Sequence, residues 1–159
     1  MLKNKHLNID VAVLGSVQEE VGCRGAKVGA YSINPDWAVA VDVTHGTTPD
    51  AGKPRTFDLG SGVAIGLGPN INRKISDSMQ KIAKDKKIAH TLEVMEGETG
   101  TNAWPIQVAR SGIPTGLLSI PLRYMHTPFE TLCEKDVRAV AKLLAEYIIH
   151  LSAEVAKNA

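Results

Sequence analysis

The sequence has 159 residues, of which 43% are hydrophobic and 22% charged, a composition typical of one globular domain with a buried core. Its 18 basic and 17 acidic residues give a formal net charge of +1, and without a basic stripe we expect no nucleic-acid partner. No apolar run approaches the about 18 residues that span a bilayer, so we expect no membrane partner either.

Cysteine usage and the first residues predict the compartment. Cys23 and Cys133 are far apart, and neither belongs to a CxxC pair. This pattern argues against a disulfide scaffold and against a thiolate zinc site. Because the first ten residues also lack the apolar core of a signal peptide, we expect a reducing, cytoplasmic location.

Apolar runs predict five strands along the chain. They cover residues 9–17, 37–43, 62–67, 90–95 and 114–120. The first, second and fifth runs are almost continuously apolar, which is typical of strands covered on both faces. The first strand would begin after about eight polar residues, an arrangement that fits a domain beginning in its middle.

Helical patterns lie between these strands. Long helices are predicted over residues 70–87, with Asn70 as N-cap, and over 134–151, and shorter helices over 22–31 and 102–110. The last long helix carries a predicted apolar stripe of Val137, Val140, Ala141, Leu144, Ile148 and Leu151. The alternation of strands and helices predicts one α/β domain over the whole chain. Its central sheet is expected to be mixed, largely parallel, and enclosed between helix layers.

Carboxylates and an imidazole follow three of the predicted strands. Glu19 and Glu20 come after the first strand, Asp42 lies near the end of the second, and His126 follows the fifth. Because ligands bind outside the carboxyl ends of strands in open α/β sheets, these side chains are expected at one edge. Carboxylates with imidazole are the ligands of hydrolytic zinc, cobalt or manganese sites.

Each of these residues also has an ordinary structural explanation. Glu19 fits an exposed carboxylate, Glu20 a helix start that favours acidic residues, Asp42 a turn cap, and His126 a loop hydrogen bond. Taken singly, these explanations are favoured. Taken together, four such groups placed after apolar strands favour a site.

Three ordered motifs carry a resemblance to a known family. The run Val-Gln-Glu-Glu-Val-Gly at 17–22, followed by Arg-Gly-Ala at 24–26, resembles the paired-glutamate motif of the TET-type glutamyl and leucyl aminopeptidases. These are cytosolic metallopeptidases with two co-catalytic metal ions. The run 41–45 resembles their aspartate motif and the segment 112–128 their histidine motif. The similarity extends from about residue 8 to 147.

The resemblance implies a role for each residue. Glu19 would be the general base, Glu20 and His126 would hold one metal ion, and Asp42 would hold the other, with zinc or cobalt expected and manganese as an alternative. The segment 97–103 resembles a family loop near the substrate, which implies a substrate contact for Asn102. A metal lowers the pKa of water from about 15.7 to about 7, and a carboxylate beside it can pass the proton to a leaving amine. The implied function is hydrolysis of N-terminal residues from peptides.

The chain departs from that family ahead of the paired glutamates. Relatives carry a histidine and a bridging aspartate there, and they insert a barrel-like domain that helps assembly. His6 and Asp10 have the wrong spacing to replace these ligands. Catalytic zinc sites usually need three protein ligands, so we expect a partial catalytic domain that is weak or inactive alone.

Two interpretations of the departure remain. The chain is either an aminopeptidase segment, with a complementing upstream segment or further copies of itself as partners, or a non-enzymatic binding or assembly module that keeps a vestigial metal site. A purely structural remnant has no need of a general base, so Glu19 favours the first.

Overall fold

The protein is built on one mixed β-sheet, as seen in a computed structural model that describes residues 1–49 and 56–158. In chain order the elements are α1 (Arg24–Ile33), β1 (Ala38–His45), β2 (Val63–Leu67), α2 (Arg73–Asp85), β3 (His90–Val94), α3 (Ala103–Gln107), β4 (Thr115–Arg123), β5 (Thr131–Leu132) and α4 (Glu134–Asn158). Within the described residues, no helix is long and apolar enough to cross a membrane.

The sheet has the strand order β1-β4-β2-β3, and the short β5 pairs with β4. The pairs β1/β4 and β2/β3 are parallel, whereas β2/β4 and β4/β5 are antiparallel. The main ladder is the parallel pair β1/β4, which runs in register from Ala38↔Thr115 to His45↔Leu122. The predicted mixed sheet is therefore confirmed.

Helices cover both faces of this sheet. On one face, Leu118 of β4 and Ile65 of β2 pack with Met79 of α2 and Leu143 of α4 in the largest core cluster. On the other face, α1 and α3 pack together and against the sheet, with Ala103 of α3 contacting the cluster around Leu117. The predicted position of the sheet between helix layers is confirmed.

The first predicted strand, residues 9–17, is wrong. The segment is neither helix nor strand, and Val13 and Val17 are 94% and 66% exposed. Its apolar composition is that of a buried strand, but no strand of the described chain lies beside it to form a ladder. Other contacts hold it, since Asn8 N donates to Ser152 Oγ at 2.8 Å and Gly25 N donates to Val17 O at 3.0 Å.

The other two strands that are predicted to be covered on both faces differ in their burial. Strand β4 is buried along almost its whole length, as predicted. Strand β1 is an edge strand, and its Val41 is 46% exposed, so double coverage is wrong there. An apolar run indicates that a strand can be buried on both faces, but the elements packed around the strand decide whether it is buried in the folded protein.

Helix boundaries shift by a few residues from the predictions. Asn72, and not Asn70, caps α2 by accepting from Ile75 N at 3.2 Å. Helix α4 extends to Asn158, and its buried stripe includes Leu143 and Tyr147, while Ala141 is exposed. Helices α1 and α3 are found near their predicted positions.

Candidate active site

A tight turn after the 9–17 segment carries both glutamates. Gln18 and Cys23 adopt the left-handed conformation, with φ of 60° and 53°. Glu19 O accepts from Gly22 N at 3.1 Å and from Cys23 N at 2.8 Å, which closes the turn. Adjacent side chains of a regular strand point to opposite faces, so a turn is what allows neighbouring glutamates to serve one site.

Glu20 contacts His126, a residue 106 positions later in the sequence. His126 Nε2 lies 3.1 Å from Glu20 Oε1, and both side chains are about two-thirds exposed, at 67% and 72%. His126 follows the end of β4 in a loop where it and Tyr124 have φ of 61°, and its backbone N–H donates to Glu130 Oε1 at 2.8 Å. Non-glycine residues in such conformations cluster at functional sites.

Asp42 lies on β1, in register with Ser119 of β4. Its carboxylate accepts from the N–H of the next residue, Val43, at 2.8 Å. Burial raises the pKa of Asp42, the Val43 N–H opposes that shift, and the carboxylates of Glu19 and Glu20 add to it. The charges of Glu19 and Glu20 thus act on Asp42, and the contact between Glu20 and His126 adds the imidazole to the same group of side chains.

Cys23 contacts Glu19, a relationship that the sequence analysis missed. Its Sγ donates to Glu19 Oε1 at 3.4 Å. Burial, the hydrogen bond to Glu19 and the charge of Glu19 raise the pKa of the Cys23 thiol to about 11. The thiol therefore stays protonated and remains a donor to Glu19. Its position four residues after Glu19, across a turn, was the available signal.

Glu93 is a second missed residue. It lies on β3, and one of its carboxylate oxygens is fully buried. Burial raises the pKa of Glu93, the nearby hydroxyls of Ser119 and Thr44 oppose that shift, and the negative charge of Asp42 adds to it. A lone acid within an apolar strand was the available signal, because such a group is rarely buried without a role.

Asn102 stands at the N-cap of α3. Its side-chain amide donates to Ser16 Oγ at 3.0 Å, which ties α3 to the 9–17 segment, and its buried Oδ1 has no hydrogen-bond partner among the described residues. These contacts are structural. A substrate contact by Asn102 stays a prediction.

The donor set fits a metal ion in part. Glu20 and His126 face each other, and a carboxylate with an imidazole suits zinc or cobalt. Asp42 is engaged with its own strand. Among residues 1–49 and 56–158, no group of three or more His, Cys, Asp or Glu is arranged to hold an ion. Of the four candidate residues, Glu20 and His126 are thus the two that face each other.

With this geometry in place, the chain can be assigned to a family. The profile of the M42 glutamyl aminopeptidases matches residues 1–143, and the chain belongs to that family. It is 39% identical over 134 residues to the lysyl aminopeptidase of Pyrococcus furiosus, a match covering 84% of this chain and 39% of that protein.

Solved structures agree with the assignment. A TET aminopeptidase from a marine sediment archaeon, Thaumarchaeota archaeon, superposes with a TM-score of 0.80 at 30% identity, covering 90% of this chain and 41% of its own. The TET1 peptidase of Pyrococcus horikoshii, which assembles into a tetrahedron or a large octahedral shell, superposes with a TM-score of 0.64 at 30% identity, covering 82% of this chain and 38% of its own. The predicted family and fold class are confirmed. The chain spans about two fifths of the length of these relatives.

Proposed function

We propose that this chain is a catalytic segment of a metal-dependent aminopeptidase that removes N-terminal residues from peptides. The observation that carries the proposal is the 3.1 Å contact between Glu20 and His126, beside Glu19, in a member of the M42 family. These two residues are distant in sequence, and a carboxylate with an imidazole is a ligand pair typical of hydrolytic metal sites.

The roles follow from what each side chain can do. Glu20 and His126 would hold one divalent ion, and Asp42 would contribute to a second. When bound, the metal supplies Lewis acidity and lowers the pKa of water. Glu19, held by the turn and by the Cys23 thiol, would accept a proton from water and return it to the departing amine.

The metal, the partners and the location belong to the same proposal. Zinc or cobalt suits the ligand types, with manganese as an alternative. By analogy with the shells of the P. horikoshii relative, the chain would form homo-oligomers or join a complementing segment. Its two unpaired thiols fit a cytoplasmic location.

A competing proposal is a binding or assembly module without activity. It is favoured by one observation, that the described residues form no three-ligand group. A site of two ligands is below the number that catalytic zinc usually needs.

Complementation separates the two proposals. The chain would be mixed with the part of the P. furiosus lysyl aminopeptidase outside the matched region, and hydrolysis of amino-acid anilides measured with added metal. Glu19→Gln should lower turnover by ~10²–10⁴-fold with metal binding retained, because the amide fills the same space but accepts no proton. Glu134→Gln, on the exposed start of α4, is the matched control.

Two results would favour the binding module. One is a complex that assembles, binds metal and stays inert. The other is a Glu19→Gln complex with full activity.

A further inference from the structure

Asn102 is held firmly at the start of α3. Its neighbours Thr101 and Ala103 are 6% and 0% exposed. The Thr101 hydroxyl accepts from Ala103 N at 3.2 Å and lies 2.9 Å from Thr99 Oγ1. Thr101 therefore supplies the side-chain hydrogen bond at this helix start, and Asn102 makes none there. The Asn102 side chain is left free to contact another part of the chain.

The amide of Asn102 reaches across to the 9–17 segment. Its Nδ2 donates to Ser16 Oγ at 3.0 Å, although 86 positions separate the two residues. Its Oδ1 is fully buried and has no hydrogen-bond partner among the described residues. A fully buried oxygen is not open to a substrate, so these contacts favour a role that Asn102 exerts through Ser16.

Ser16 is the anchored residue of an otherwise exposed segment. Residues 10–18 are exposed except for Ser16, which is half-buried. Residues 9–16 make no backbone–backbone hydrogen bond to the described chain, so the Asn102 amide provides their polar anchor there. Leu14 adds an apolar contact by packing directly over Gly29 of α1.

The turn that carries both glutamates begins immediately after Ser16. Its own hydrogen bonds, such as Cys23 N to Glu19 O at 2.8 Å, fix its shape but not its place relative to the loop after β4. At its exit, α1 packs against α3 in the cluster of Ala26 and Ile106. At its entry, the Asn102 amide holds Ser16. Both ends of the 17–23 turn are therefore tied to α3.

We propose that Asn102 is a positioning residue, whose amide fixes the entry of the 17–23 turn through Ser16 and so sets the places of Glu19 and Glu20. Glu20 has to meet His126 on another element, and their contact of 3.1 Å depends on where the turn stands. The consequence for catalysis rests on the proposed function, because a misplacement of about 1 Å can cost about 10²-fold in rate. The positioning of the turn does not rest on it.

The competing role for Asn102 is the direct substrate contact that the sequence predicts. The two roles differ in what Ser16 does. A direct contact needs no help from Ser16. A positioning residue acts through the one hydrogen bond that it shares with Ser16, so loss of either partner should have the same effect and loss of both no further effect.

NMR and zinc titration of the 159-residue chain test the positioning. Without metal, Asn102→Ala should shift the backbone amide signals of Glu19, Glu20 and His126. Asn102→Ala and Ser16→Ala should each weaken zinc binding about fivefold in calorimetry, because a neutral hydrogen bond contributes about 1 kcal/mol and about 1.4 kcal/mol is tenfold. The double variant should bind zinc no more weakly than either single variant.

Two kinds of control isolate the hydrogen bond. Ser16→Thr keeps the hydroxyl and should retain the turn signals and zinc binding of the unmodified chain. Ser78→Ala removes a half-buried serine from α2, and Asn158→Ala removes an exposed asparagine from the end of α4. Both should leave the amides of the 17–23 turn unchanged. Circular dichroism would check that each variant folds.

Activity then separates positioning from substrate contact. The chain would be combined with the part of the P. furiosus lysyl aminopeptidase outside the matched region, with added metal. Asn102→Ala and Ser16→Ala should both lower kcat about tenfold, with KM for an amino-acid anilide nearly unchanged, because the substrate contacts remain. A direct contact would instead raise KM in Asn102→Ala alone.

Three results would overturn the proposal: unchanged turn amides in a folded Asn102→Ala, zinc binding that is weakened additively in the double variant, or an effect of Asn102→Ala that Ser16→Ala lacks. The NMR test uses neither activity nor metal. An inert complex would therefore count against the aminopeptidase proposal and leave this one standing, and unchanged turn amides would do the reverse.

Discussion

His126 Nε2 lies 3.1 Å from Glu20 Oε1, although 106 positions separate the two residues in the sequence. Strand β4 ends three residues before His126, and the 17–23 turn holds Glu20 against that loop. Both side chains are mostly exposed, so the pair adds little stability, and its interest lies in the ligands it brings together.

The first prediction follows from this pair and concerns metal. The isolated chain should bind at most one zinc or cobalt ion, weakly, because only two ligands face each other. His126→Ala and Glu20→Gln should each remove that binding, and affinity should fall in acid because the ligands must be deprotonated. Isothermal titration calorimetry is the measurement.

A similar pair outside the site provides the control. His150 Nε2 lies 3.3 Å from Glu154 Oε1 on α4. His150→Ala should leave metal binding unchanged. Tight binding of two ions by the chain alone would contradict the expected site.

The second prediction concerns the Cys23 thiol. With a pKa of about 11, it should react with a disulfide reagent at pH 8 about tenfold more slowly than an ordinary thiol, because its thiolate is about a hundredfold scarcer and only partly compensates by being more nucleophilic. Glu19→Gln should speed the reaction, since it removes the charge that opposes thiolate formation. The rate would be measured in a Cys133→Ala background, so that one thiol reports. Equal rates with and without Glu19 would show that the contact is absent in solution.

The third prediction concerns Glu93 and pH. Because its pKa is raised, the folded protein keeps a proton on Glu93 at pH values where the unfolded chain has lost it. The folded state then binds more protons, so this group lowers stability as pH rises. Glu93→Gln should therefore raise the free energy of unfolding at pH 8, and the gain should fade as the pH falls toward the ordinary Glu pKa of about 4.3.

Urea unfolding between pH 4 and 8 would measure this effect. The exposed Glu98→Gln is the matched control and should show no such gain. A gain for Glu93→Gln that did not change with pH would indicate a packing effect instead of a titration.

The fourth prediction concerns the start of α4. Asp136 is fully buried and accepts from Gly60 N at 2.7 Å and Gly62 N at 2.8 Å, which fixes the turn before β2. Asp136→Ala would leave the buried Gly62 N–H unpaired and return the Gly60 N–H to water, and we expect a loss of about 2 kcal/mol in the free energy of unfolding. Glu134→Ala, on the exposed side of the same turn of helix, should cost little. A loss below about 1 kcal/mol for Asp136→Ala would show that other acceptors replace the carboxylate.

Local patterns predicted most of the elements because they are governed by local chemistry. The apolar run of β4 and the helical periodicity of α2 and α4 depend on residues that are close in sequence, so these elements could be predicted from the sequence. Helix ends were less accurate, since asparagine can cap a helix at either position and the backbone geometry places the cap at Asn72 and not at the predicted Asn70.

The sequence by itself determined the α/β class and the family, because both depend on residue type and order, and it named the four candidate site residues by the same means. Tertiary structure alone decided that the 9–17 segment pairs with no strand of the described chain, that β1 is an edge of the described sheet, and that the Asp42 carboxylate accepts from the Val43 N–H of its own strand. It also decided that Cys23 lies beside Glu19 and that the charge of Asp42 acts on Glu93. The pairing and burial of a strand depend on which distant strand lies beside it. The strand's own residues show that it can pair, but they do not show which strand, if any, is its partner.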